Sequence, residues 1–220
     1  MNTAVYIEHS GFLLELDDVA LLFDYYRGDI PKTDKPLYIF SSHRHHDHFN
    51  KKIMDIPCKK LILSSDIRVV PNERTLKTGA NKSFDIDGME IKTLRSTDAG
   101  VAFIVKYKNV LIYHAGDLND WHWKGEPDDW NSKMTAKYRR IITEGFKDIP
   151  YVDIAFIPVD GRLEDHAFDG ADFFMKNVDA KNIFPMHFWK DYELVRRFCE
   201  KYPDKNILKI ENRDQRFEIK

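Results

Sequence analysis

The chain has 220 residues, 43% hydrophobic and 32% charged, which is the length of one large domain that can bury a sizeable core. Lys+Arg 34 against Asp+Glu 36 leave a formal charge of -2, so the basic footprint of a nucleic-acid-binding protein is missing. Cys58 and Cys199 stand far apart without a CxxC, which weighs against a disulfide scaffold and a thiolate zinc site and fits a reducing compartment, with the cytoplasm as the default. No basic leader with an apolar run and no stretch of 18 apolar residues is present, so neither a signal peptide nor a membrane span is expected.

Short apolar runs bounded by turn residues predict strands over Ala4–Glu8, Phe12–Leu16, Val19–Tyr26, Leu37–Ser42, Leu61–Ser65, Met89–Leu94, Val101–Tyr107, Val110–His114, Asp153–Val159, Ile183–Met186, Ile207–Ile210 and Phe217–Ile219. Asp17-Asp18 and Lys108-Asn109 join neighbouring runs as tight hairpins would, so the first half reads as mostly antiparallel meander. Helical spacing comes later. Met134, Tyr138, Ile141, Ile142 and Phe146 form one stripe, Tyr192, Val195, Phe198 and Tyr202 another, and a third helix is expected from about Asp169 to Val178. Residues Asp117 to Asn131, with Trp121, Trp123 and Trp130 among Gly, Pro and acidic residues, read as irregular. No linker or repeat divides the chain, so residues 1–220 are read as a single α/β domain.

Of nine histidines, four fall between positions 43 and 48. Ser41-Ser42-His43-Arg44-His45-His46-Asp47-His48 follows the apolar run Leu37–Phe40, at the C-terminal end of a predicted strand. His43 and His45, two apart on a strand, project to one side. Imidazoles and a carboxylate without thiolates are ligands that zinc, iron and manganese share, and such a set leaves coordination positions open, in the manner of catalytic sites.

This HxHxDH segment after a buried strand resembles the metallo-β-lactamase superfamily, whose members are mostly metal-dependent hydrolases with a four-layer αββα sandwich. The rest of that family's pattern occurs in order: Asp24 after Leu21-Leu22-Phe23, Asp117 in Tyr113-His114-Ala115-Gly116-Asp117, and His187 in Phe184-Pro185-Met186-His187-Phe188. The resemblance implies His43 and His45 at a first metal, Asp47, His48 and His187 at a second, Asp117 between them, and Asp24 as a brace for the metal loop. Two such metals clamp a water and lower its pKa, and Asp47 is the group to orient that water and take its proton. One or two zinc ions are implied, with manganese or iron compatible. The first metal's third histidine is absent. His114, the only histidine in that interval, is a candidate catalytic group that faces the site only if Ala115-Gly116 breaks the strand alternation, and Asp98, in the turn Ser96–Gly100, is the candidate replacement ligand.

The tryptophans flank these ligands. Trp121 and Trp123 are candidate substrate contacts as an aromatic wall or lid, with Trp130 and His122 beside them, against a plain core role. Arg162, at a strand end, and His166 are further candidate substrate contacts; His9 lies in the first predicted turn, where the resemblance implies a histidine near the site and a plain turn role is the alternative, and His46 is surface. The resemblance is closest to the branch of ascorbate-6-phosphate lactonase-like proteins and small metal-dependent hydrolases. It implies hydrolysis of a small ester-type molecule, a lactone or phosphodiester, with no nucleic-acid or membrane partner and an oligomer compatible with the exposed aromatics. The alternatives are an iron-binding oxidoreductase of the same fold and a binding protein with a decayed site.

Overall fold

A computed structural model describes residues 2–219. Two mixed sheets are built from strands β1 (Asn2–Glu8), β2 (Gly11–Glu15), β3 (Ala20–Phe23), β4 (Leu37–Ser41), β5 (Lys60–Ser64), β6 (Thr75–Thr78), β7 (Ser83–Ile86), β8 (Met89–Arg95), β9 (Val101–Tyr107), β10 (Val110–His114), β11 (Tyr151–Pro158), β12 (Asp179–Met186) and β13 (Arg216–Ile219). The first sheet runs β13-β1-β2-β3-β4-β5-β6 and the second β12-β11-β10-β9-β8-β7.

The period of two decides the layering. In β1 to β5, Ala4, Tyr6, Phe12, Leu14, Leu21, Phe23, Tyr38, Phe40 and Ile62 point into the core shared with the second sheet. The alternate residues Val5, Ile7, Leu13, Ala20, Leu22, Ile39, Leu61 and Leu63 form a separate cluster on the other face. Because both faces are covered, these strands read as continuous apolar runs. Phe12, Phe23, Phe40, Phe103, Phe156 and Phe184 form the middle of the shared core, ring against ring, and each full burial contributes about 1.5–3 kcal/mol.

Helices α1 (Asp128–Phe146) and α2 (Asp169–Asn177) lie against the second sheet, and α3 (Tyr192–Lys201) buries Leu194, Val195 and Phe198. Pro127 and the acidic pair Asp128 and Asp129 start α1, where a missing N–H costs nothing and negative charge meets the helix dipole. Asp191 caps α3 by accepting from Leu194 N at 2.9 Å. The outer layer over the first sheet is a 3-10 turn at Lys51–Met54, which supplies Ile53, together with loops. No helix among the described residues is long and apolar enough to cross a membrane.

Three expectations are corrected. The antiparallel meander ends at β3, since β3–β4, β4–β5 and β5–β6 are parallel pairs. Strands β6 and β7 were not anticipated, because Thr75-Leu-Lys-Thr and Ser83-Phe-Asp-Ile are short and half polar, as edge strands are. Ile207–Ile210 is no strand and touches the sheet through one bridge, Ile183 to Ile207.

The parallel relations position the functional residues. β1, β3 and β4 run the same way in the first sheet, and β10, β11 and β12 run the same way in the second. The segments following these strand ends carry His9, Asp24, His43, Asp117, Asp160 and His187 in turn. They meet at one edge of the sandwich, the side on which open α/β sheets bind ligands.

Candidate metal centre

Strand β4 ends at Ser41, and the N–H groups of His48 and Phe49 both donate to His45 O, at 3.1 and 3.0 Å. The chain doubles back, and the His48 ring returns to 4.2 Å from that of His43. After β10, Gly116 turns at φ 52 and aims the Asp117 carboxylate into the same volume. His187 follows β12 at φ 65, its N–H donating to His9 O at 3.2 Å, so the two sheets are joined across the site.

Asp117 is the hub. His48 Nε2 lies 3.0 Å and His187 Nε2 3.4 Å from its Oδ1, and His43 Nε2 3.2 Å from its Oδ2. Each ring is held from behind through Nδ1: His43 by Ser42 Oγ at 2.9 Å, His48 by Asp24 at 2.7 Å and His187 by Asp160 at 3.0 Å. Outer partners of this kind set the ring orientation and leave Nε2 facing inward as a ligand. Asp24 also accepts from Ser42 N at 2.7 Å and Ser42 Oγ at 2.6 Å, which fastens the loop to β3.

The nearest ligand atoms form three groups: His9, Asp47, His48 and His187; His43, His48 and Asp117; His45, Asp98 and Asp117. His9 Nε2 is 3.4 Å from Asp47 Oδ2, and His45 Nδ1 is 3.9 Å from Asp98 Oδ2. The donor set fits a metal. His43 Nε2, His48 Nε2, both ring nitrogens of His9 and Asp117 Oδ1 are buried without a hydrogen-bond partner among the described residues. Orphaned buried polar atoms are costly, and so many in one place call for a cation.

The electrostatics agree. Burial opposes charge on Asp117, but the His48, His187 and His43 rings outweigh it and hold the carboxyl well below the usual range. Burial works against the His48 cation too, and Asp117 and Asp24 overcome it, so its pKa is raised well above the ordinary value. Asp47 is pulled down by the His9 contact and by His48 against its partial burial. Burial lowers His9 to about 4.

His43, His45, Asp47, His48, Asp98, Asp117 and His187 are thus drawn together, and Asp24 sits behind them. His114 is not among them. Its ring stacks on Phe23 at 4.9 Å, Nε2 meets Ser10 O at 3.0 Å, and Nδ1 accepts from Gly116 N at 3.2 Å, so neither nitrogen is free for catalysis. The break at Ala115-Gly116 does occur, and it sends Asp117 to the site while His114 stays in the core. Two contributors were not anticipated in these roles: His9 as a member of the group with Asp47, His48 and His187, and Asp160 as the partner of His187. The signal for Asp160 is the one that marks Asp24, a carboxylate directly after a buried strand.

A cavity of about 310 Å³ opens over the cluster, lined by His45, Asp47, Asp98, Asp117 and His187 and walled by Trp121, Trp123, Trp130, Trp189 and Arg162. Trp121 and Trp123 stack with centroids 5.9 Å apart at 6°. The Asn131 side chain pins this segment by accepting from Trp123 N and donating to Trp123 O. His166 does not line the cavity. It stacks on His122 at 3.6 Å and its Nδ1 meets Asp169 at 2.7 Å. His46 is on the surface.

A family model described as a beta-lactamase superfamily domain matches residues 4–123. No match was found among the curated proteins. Among solved structures, the chain is similar to Igni18, a metallo hydrolase from Ignicoccus hospitalis, at 16% identity over 100% of this chain and 99% of that one, TM-score 0.65. The isothiocyanate hydrolase from Delia radicum gut bacteria aligns at 11% identity over 98% of each chain, TM-score 0.61. The diiron β-hydroxylase CmlA from Streptomyces venezuelae aligns at 11% identity over 98% of this chain and 53% of its own, TM-score 0.65. At these identities the likeness is one of fold, and with the family match over more than half of its length the chain belongs to the metallo-β-lactamase superfamily.

Proposed function

We propose that the protein is a metal-dependent hydrolase of a small ester-type molecule, with lactones, as in the ascorbate-6-phosphate lactonase-like branch, and phosphodiesters as the leading substrate classes. The observation that carries this reading is the convergence of three buried imidazole Nε2 atoms on Asp117, each ring held by its own outer partner. His43, His45, Asp98 and Asp117 would hold one divalent ion. Asp47, His48 and His187, with His9 alongside and Asp117 shared, would hold a second. Zinc suits this nitrogen and oxygen set, and manganese and iron are compatible. Ions bound there supply Lewis acidity and bring the pKa of a water toward neutrality.

The chain's own residues do the rest. Asp47 stays ionised at the cavity floor and orients the attacking water, accepting its proton. The Trp121–Trp123 wall excludes bulk water and presents an apolar face to the substrate. Asp24 and Asp160 keep His48 and His187 in place while charge develops. A cytoplasmic protein acting on a small molecule, without nucleic acid or membrane as partner, completes the proposal. Metal analysis of protein purified without added metal, with turnover assays on lactones, phosphodiesters and thioesters, tests it. Metal-replete protein without turnover on any of the three classes would overturn it.

A second reading, an iron-binding oxidoreductase, draws on the fold shared with the diiron hydroxylase. Bound iron and a visible absorption band in the purified protein would favour it, and colourless zinc or manganese protein would exclude it.

A further inference from the structure

Arg162 is unlike a solvated surface arginine. It opens the 3-10 turn Gly161–His166 directly after Asp160, and its Nε and Nη2 meet the Asp160 carboxylate at 2.9 and 2.5 Å. The same carboxylate holds His187 Nδ1 at 3.0 Å. The guanidinium carbon stands 5.4 Å from the Trp123 ring centroid and 5.0 Å from that of Trp189. One edge is thus fixed by a carboxylate and two indoles lie within cation–π distance. The opposite edge, Nη1, has no hydrogen-bond partner among the described residues, and the side chain is half exposed.

Among the described residues Arg162 is also the only Lys or Arg lining the 310 Å³ cavity, where the other charged residues are Asp47, Asp98 and Asp117. Those three are spoken for if the metal reading holds. An arginine already ordered on one edge loses little side-chain entropy on binding, and its free edge matches a carboxylate or phosphate oxygen. The cavity lies at the small end of ligand sites, which run from about 300 to 1,000 Å³.

We propose that the substrate carries an anionic oxygen group, carboxylate or phosphate, that docks on the Nη1 edge of Arg162 while its ring or apolar part lies against Trp121 and Trp123. This rests on the hydrolase reading and adds to it the charge of the substrate. Arg162 is then a specificity residue, and through Asp160 it also steadies His187.

The test reads binding by tryptophan fluorescence, on metal-loaded and chelator-treated protein, with phenylphosphonate, benzoate and neutral benzyl alcohol as probes. A charge-assisted hydrogen bond predicts that R162Q binds the preferred anion about tenfold or more weakly than the wild type, with benzyl alcohol changed less than about twofold. R162K, which keeps the charge but loses the fork, is expected between the two, and it carries the comparison if R162Q does not fold. The chelator-treated protein removes any attraction of the anions to the metals, so the loss on substitution is read there, free of a change in metal retention through Asp160 and His187. The larger loss, with phenylphosphonate or with benzoate, identifies phosphate or carboxylate. R162Q binding both anions as tightly as the wild type, or losing the alcohol equally, would overturn the proposal. An Arg162-dependent preference without ester turnover would remove the hydrolase reading and leave the anion site standing. Turnover with no such preference would do the reverse.

Discussion

Gly100 controls how closely the loop bearing Asp98 approaches the metal-binding segment. Its φ is +67, and a Cβ there would lie 2.0 Å from Ser42 O and 2.5 Å from His43 Cβ. Ser42 O accepts from Val101 N at 3.0 Å, so the backbones are tied at this point and cannot part without breaking that bond. Gly100→Ala therefore combines left-handed backbone strain of about 1–2 kcal/mol with a forced backbone shift of about 1–3 kcal/mol, for a total of about 2–5 kcal/mol. Gly88 is the internal control, since its φ is +81 and nothing lies within 4 Å of an added Cβ. Gly88→Ala should cost the strain alone. Urea unfolding of chelator-treated protein measures both, and the difference of about 1–3 kcal/mol isolates the clash. Because the shift falls on His43 and the Asp98 loop, Gly100→Ala should also weaken metal retention while Gly88→Ala should not. Equal destabilisation by the two substitutions would refute the reasoning.

The remaining predictions concern the site. Asp117→Ala and His48→Ala should lose bound metal and turnover together, whereas Asp98→Ala should lose one ion of two, all read by elemental analysis. Chelation should lower the melting temperature by about 5–10 °C relative to protein with free ion at about 100 times its Kd, from about 2.7 kcal/mol of linkage at about 2–4 °C per kcal/mol. In the metal-free protein Asp117 and Asp24 raise the His48 pKa despite burial. Its contribution to stability is therefore fully present below about pH 6.5 and is lost as pH rises through the elevated folded value. Metal uptake near neutrality must displace that proton. Calorimetry in two buffers of different ionisation heat should detect the release, and buffer-independent heats would contradict it. His166→Ala should change turnover less than about twofold, since its ring engages His122 and Asp169 outside the cavity.

Much of this protein was legible in the sequence because its central strands are buried on both faces and so read as unbroken apolar runs. The HxHxDH segment, Asp24, Asp117 and His187 were readable for a related reason, since each follows such a run. The half-polar edge strands β6 and β7 carried no comparable signal, and Ile207–Ile210 carried a false one, because apolar content reports burial and not pairing. The direction of pairing beyond β3 was equally hidden, although it determines which strand ends share an edge.

The histidines show where sequence stops and tertiary structure decides. His114 and His9 both lie at or next to predicted turns, and local sequence does not rank them. Ser10 O, 104 positions from His114 and on the other sheet, engages the ring of His114 and keeps it in the core. The left-handed turn after β1 and the bond from His187 N bring His9 beside Asp47 instead. Asp160 and Arg162 likewise acquire meaning only when β11 and β12 lie side by side and Trp123 and Trp189 come within reach of the guanidinium. By itself the sequence determined which residues could bind a metal and which strands would be buried. Only the tertiary structure decided which side chains meet, because a strand sets the facing of its own residues while the opposing sheet sets what they face.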